Sequence, residues 1–117
     1  MPNPLCHFEF MTADVARCRA FYSGVFDWRF DDGTMPGYTL IQTGQDAAGG
    51  MFQKPPNAPF VCLNVYFSVS DIDATLQKAI SLGGRVVVPR TPIPGVGHFA
   101  MFADPENVVI GIMQSLT

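Results

Sequence analysis

His7 and Glu9 lie two residues apart in the run Leu5-Cys6-His7-Phe8-Glu9-Phe10, so strand alternation puts an imidazole and a carboxylate on one face. This pair can do acid–base chemistry. Glu9 can take a proton from the carbon next to a carbonyl, while a nearby donor polarises the carbonyl oxygen. Asn64 and Tyr66 repeat the spacing and supply an amide and a phenol to one face of another strand. His98, the other of the two histidines, shares its face with Ala100 and Phe102. Glu9 is therefore the candidate catalytic base, and His7, Asn64, Tyr66 and His98 are candidate ligand-binding residues. Each has a structural alternative. His7 can be a buried, hydrogen-bonded strand residue, and Glu9 can pair with an arginine or face solvent. Tyr66 and His98 can be core residues with one satisfied polar tip.

Other chemistries find little support. There is no G-x-S-x-G, no G-x-x-x-x-G-K-[ST] and no H-E-x-x-H, the patterns that expose a nucleophile, cradle phosphates or hold zinc on a helix. Gly95-Val96-Gly97 lacks the following helix that a dinucleotide loop needs. Three cysteines with no C-x-x-C suggest neither a disulfide framework nor a thiolate zinc site. A cytoplasmic location with reduced thiols is expected. The net charge of −3 and the scattered Lys and Arg leave no basic stripe for nucleic acid or an acidic membrane. No apolar run approaches the length of a membrane span, and Met1-Pro2-Asn3-Pro4 lacks the basic flank and apolar core of a signal peptide.

The elements that must position these residues can be read in order. Leu5–Phe10 is a strand, and Thr12 and Asp14 offer caps for a helix with Val15, Cys18, Phe21 and Tyr22 on one face, ending near Gly24. Phe26–Phe30 alternates as a strand with its aromatics inward, broken by Asp31-Asp32-Gly33. Strands at Tyr38–Gln42 and Gly50–Gln53 complete this half, and Lys54–Val61 is a stiff, proline-rich linker. The pattern then recurs. Cys62–Phe67 is a strand, and Ser70-Asp71 caps a helix whose apolar face is Ile72, Leu76, Ala79 and Ile80, stopped by Gly83-Gly84. Arg85–Val88 is a strand ended by Pro89, and a final hairpin turns at Asp104-Pro105-Glu106-Asn107.

Registering the halves makes the recurrence concrete. His7 to Asn64 and Asp14 to Asp71 are both offsets of 57, Gly37 to Gly97 is 60, and Gly50 to Gly111 is 61. Slow drift of this kind fits a duplicated module with small loop insertions. The predicted fold is α+β: one domain over residues 1–117, built from two tandem βαβββ modules at about 5–53 and 62–114, with linker 54–61. A ferredoxin-like fold allows only two strands between its helices, whereas four are predicted here.

Several local runs together resemble the vicinal oxygen chelate superfamily of glyoxalase I, bleomycin-resistance proteins and extradiol dioxygenases. They are His7–Phe10, Ala20-Phe21-Tyr22 ahead of Phe26-Asp27-Trp28, Tyr66–Asp73, Leu82-Gly83-Gly84 and Asp104-Pro105. Pro94–Gly97 and Gly49-Gly50-Met51 resemble glyoxalase-like members of uncharacterised activity. The resemblance implies a curled, partly open mixed β-sheet around a cleft into which His7, Glu9, Asn64 and Tyr66 point. It also implies a homodimer, which would cover exposed strand edges. The superfamily's metalloenzymes carry ligands at places that fall here on His7, Gly50, Asn64 and Gly111. Only His7 is a conventional ligand, so no zinc, nickel, iron or manganese cofactor is expected. Gly50 and Gly111 would instead leave room for an organic ligand. Three functions follow from the resemblance: metal-independent binding of a small organic ligand, a glyoxalase-type isomerase or lyase acting on a small carbonyl compound, or an accessory module with a vestigial cleft.

Overall fold

A computed structural model describes residues 2–44 and 48–116, without the side chains of residues 33 and 34. The chain forms two compact units: His7–Asn64, and the segment up to Cys6 joined with Val65 onward. In the first lie β1 (Leu5–Thr12, from His7 on), α1 (Val15–Phe26), β2 (Arg29–Met35), β3 (Tyr38–Gln42) and β4 (Ala48–Gln53). Their order across the sheet is β2-β3-β4-β1, with β1 and β4 parallel and the other neighbours antiparallel. The second unit holds most of β5 (Cys62–Ser68), α2 (Ile72–Ser81), β6 (Arg85–Ile93), β7 (Gly97–Ala103) and β8 (Val109–Ser115). Their order is β5-β8-β7-β6, again with one parallel pair, β5 and β8. The fold class is α+β with mixed strand pairing. No described helix is long and apolar enough to cross a membrane.

The two helices start by the same device. Asp14 accepts from the Arg17 amide at 3.1 Å and Asp71 from the Ala74 amide at 3.0 Å, both carboxylates satisfying first-turn donors. A strand-end glutamine ties each start to its sheet. Gln53 Nε2 donates to the Ala13 carbonyl at 2.5 Å, and the Ile72 amide donates to Gln114 Oε1 at 2.8 Å.

Three boundaries differ from the sequence reading. Helix α1 passes through Gly24 and ends at Asp27, whose φ of 57° supplies the left-handed stop. Phe26 is therefore helical and exposed rather than an inward strand residue. Strand β2 continues across Asp31-Asp32-Gly33, absorbing the irregularity as a register shift between Asp31 and Met35. Strand β6 runs through Pro89 to Ile93, because it is the last strand in its sheet order and a missing N–H costs no ladder bond on an edge. Residues 45–47, between β3 and β4 in the sequence, lie outside the described residues.

Packing is uneven. In the second unit Ile72 and Leu76 of α2 lock against Val69, Ala100 and Ile112, with Phe102 alongside, while Ile80 is exposed. No residue of α1 is fully buried, and Phe21 lies 62% exposed. It rests on the sheet through aromatic contacts instead, with Tyr22 4.9 Å from Phe10 and 5.6 Å from Trp28 between ring centroids. Ile41 and Met51 are the fully buried side chains beneath.

Candidate functional site

Register decides which residues share a face. In the first unit Phe8 pairs with Gly49, and Glu9 with Gly50, which in turn pairs with Leu40. Phe8 and Phe10 face α1, so His7 and Glu9 face the opposite way, together with Gly50, Tyr38 and Phe52. Tyr38 joins the two polar residues. Its hydroxyl donates to Glu9 Oε2 at 2.9 Å and lies 2.8 Å from His7 Nε2. The phenol has a single proton to give, so the donor on the His7 side is set by the imidazole tautomer. The Tyr38 ring runs parallel to Phe52 with 6.2 Å between centroids, and the His7 ring lies end-on to it through the hydrogen bond, 6.5 Å between centroids. Burial pushes the His7 imidazole below its ordinary pKa, opposed by the Glu9 charge and by a hydrogen bond to the Ala48 backbone.

The room expected at Gly50 is taken. A Cβ on Gly50 would stand 1.8 Å from Tyr38 Oη, so the glycine exists to let the phenol lie on the backbone. Gly49 does the same on the other face, where a Cβ would meet the Phe8 ring at 2.3 Å. The second unit fills its equivalent space as well. Tyr66 pairs with Gly111, whose Cβ would stand 2.2 Å from the Tyr66 ring. That ring is only 5% exposed and meets Phe99 edge-on at 6.3 Å. Tyr66 is thus a core residue packed on a glycine.

The sequence candidates are therefore gathered selectively. His7, Glu9 and Gly50 come together through Tyr38, and Tyr66 sits on Gly111. His98 shares its face with Ala100, which belongs to the α2 core, whereas Tyr66 meets Phe99 on the opposite face, so these two are not brought together. Asn64 belongs with the first unit, its side-chain oxygen accepting from the Cys62 thiol at 3.9 Å. Tyr38 is the residue that sequence reasoning missed. The available signal was Gly49-Gly50 inside a strand, which marks close approach of another group as readily as an open space.

A divalent transition metal does not fit this donor set. One imidazole, one carboxylate and a phenol hydrogen-bonded to both do not make the three or four ligands such an ion takes, and the Gly50 position holds a ring. Among the described residues no three His, Cys, Asp or Glu side chains cluster in a way that could hold one. A groove of about 980 Å³ lies on the α1 face, lined by α1, by Trp28 just before β2, and by β2 and β3 residues including Phe30 and Thr39. There Arg19 pairs with Asp32 at 2.7 Å above the Phe30 ring, and Thr39 donates to the same carboxylate. The Arg19 hydrogen bond, then that of Thr39, holds the Asp32 carboxyl below the usual range.

Comparison with known proteins agrees with this architecture. Residues 5–112 match the model of the Glyoxalase/Bleomycin resistance protein/Dioxygenase superfamily. A putative glyoxylase, CFP32, from Mycobacterium bovis is 29% identical over 92% of this chain and 44% of its own length. The chain thus spans under half of that relative. A glyoxylase-like domain-containing protein from Didymella fabae is 30% identical over 85% of the chain and 84% of its own length. Methylmalonyl-CoA epimerase from Mycobacterium tuberculosis superposes with a TM-score of 0.73 at 16% identity, over 97% of this chain and 88% of the epimerase. With the family match spanning nearly the whole chain, this protein belongs to the Glyoxalase/Bleomycin resistance protein/Dioxygenase superfamily.

Proposed function

We propose that the chain binds a small, partly apolar organic ligand on the His7–Tyr38–Glu9 face, without a resident divalent ion. The observation that carries this reading is the Tyr38 hydroxyl, which bridges His7 and Glu9 directly over Gly50. A proton donor and an acceptor are organised there by one another rather than by a metal. Sequestration of a ligand, as the bleomycin-resistance part of the superfamily's name suggests, is one form of this function. Protein purified without chelator is expected to carry zinc, nickel, iron and manganese well below one equivalent. Stoichiometric metal by elemental analysis overturns the reading.

The same hydrogen-bonded chain favours a second reading, a glyoxalase-type isomerase or lyase acting on a small carbonyl compound. Two relatives bear the glyoxylase name, and an imidazole–phenol–carboxylate chain is suited to moving a proton. Glu9 takes the proton and Tyr38 or His7 supports the carbonyl oxygen. Glu9→Gln should abolish turnover while preserving ligand affinity, whereas unchanged turnover removes Glu9 from that role. A homodimer is the assembly we propose, supported by the exposed Phe21, Val25, Phe60, Val61 and Leu63. Sedimentation at the monomer mass contradicts it. The three thiols, all free, support a reducing compartment such as the cytoplasm.

A further inference from the structure

We propose that the groove on the α1 face is a second binding site, separate from the His7–Tyr38–Glu9 face, and that it takes a flat organic monocarboxylate. The groove exists because one helix cannot cover four strands. Helix α1 sits over β1, where Tyr22 meets Phe10 at 4.9 Å, and a helix is about 10–12 Å across. In the order β2-β3-β4-β1 the edge strand β2 is three neighbours from β1, about 14 Å at the usual strand spacing. The α1-facing side of β2 and β3 is therefore left open, with Ala16, Ala20 and Ser23 as a wall of small side chains beside it. Arg19 spans the gap, pairing with Asp32 above the Phe30 ring. Trp28 adds an aromatic wall that is already fixed, its ring held 5.6 Å from Phe8 and 5.0 Å from Phe26. The volume of about 980 Å³ falls at the upper end of small-molecule sites, roughly 300–1,000 Å³.

The ligand class follows from which polar groups in the groove are already spent. Asp32, the one carboxylate in its lining, accepts from both Arg19 and Thr39 at 2.7 Å. Arg19 reaches it through Nη1 alone, which leaves the N–H groups of Nε and Nη2 for a ligand. Among the described residues the Trp28 indole N–H and the Arg29 guanidinium have no hydrogen-bond partner. Arg29 borders the groove from the first position of the edge strand. Alternation starts its side chain away from Phe30, and the open edge lets the guanidinium come around. The unspent groups are thus donors, and two guanidinium groups stand against one carboxylate on a chain of net charge −3. A carboxylate supplies the matching acceptors and charge, and a flat apolar body lies against Phe30 and Trp28. A neutral analogue forgoes the charge, and an ammonium meets two arginines.

The test uses naphthalene-2-carboxylate, with naphthalene-2-carboxamide as the neutral control and naphthalen-2-ylmethylammonium as the cationic one. Trp28 is the only tryptophan in the chain, so its indole N–H gives a single NMR resonance that reports on the groove in the full chain. Saturable binding of the carboxylate is expected to move that resonance and the amides of Ala16, Ala20 and Phe30, leaving those of His7 and Gly50 in place. The carboxylate should bind about fivefold more tightly than the carboxamide, as one partly exposed ion pair would give, with the difference shrinking at high salt. Arg19→Gln combined with Arg29→Gln should abolish that preference. Should the double variant fail to fold, the three-ligand comparison on the native chain still decides. No saturable binding, equal affinity for carboxylate and carboxamide, or tighter binding of the ammonium overturns the proposal. So does a preference that survives in the folded double variant, or a response at His7 and Gly50 in place of Trp28.

Discussion

Gly111→Ala tests whether the glycine under Tyr66 is a packing device. The new methyl would stand 2.2 Å from Tyr66 Cδ2, 2.4 Å from Cε2 and 2.9 Å from Cγ, well inside any real carbon contact. These atoms belong to the body of a ring that is 5% exposed and backed by Phe99, so it cannot simply rotate away. Overpacking of this kind costs about 1–3 kcal/mol. Gly111 is not among the glycines with positive φ, so alanine also recovers roughly 0.5–1 kcal/mol of unfolded-state entropy. The net loss is then on the order of 1–2 kcal/mol, or roughly 4–10 °C in Tm for a chain of this size. Urea unfolding followed by far-UV circular dichroism measures it, and Tyr66→Leu in the same chain should return part of the loss by removing the ring. An unchanged midpoint would falsify the claim that Tyr66 is seated on Gly111.

Gly50→Ala should behave differently, because its clash is with the hydroxyl end of a half-buried ring. A stability loss under about 1 kcal/mol is expected, together with loss of the Tyr38 bridge, read as a change in the His7 imidazole shifts by NMR. Stability should also fall with acid through His7. Its pKa is lowered in the fold, first by burial, so its contribution is present above the ordinary value of 6.5 and is lost as pH falls through the lower folded value. His7→Gln should flatten that part of a urea-midpoint profile, and an unaltered profile contradicts the assignment. Asp71→Ala removes the cap of the helix carrying the second unit's core and should cost about 1 kcal/mol by the same unfolding assay.

Much of the fold was legible because it is local. Asp14 and Asp71 each sit just before an apolar helical face, and a side-chain cap needs only the next turn. The period-two runs at Leu5–Phe10 and Cys62–Phe67 marked strands from their own residues. Boundaries were missed where another element decides them. Gly24 permits a helix end but does not compel one, and Pro89 ends a strand only where both edges must pair.

The candidate site divides along the same line. Sequence by itself determined that His7 and Glu9 share a strand face and that Gly50 and Gly111 bring no metal ligand, since alternation and side-chain identity are properties of the chain alone. Tertiary structure decided what stands over those glycines. Tyr38 reaches Gly50 from a neighbouring strand and Tyr66 reaches Gly111 across a parallel pair. Strand register, set by contacts distant in sequence, put a phenol where the glycine pattern alone read as empty space.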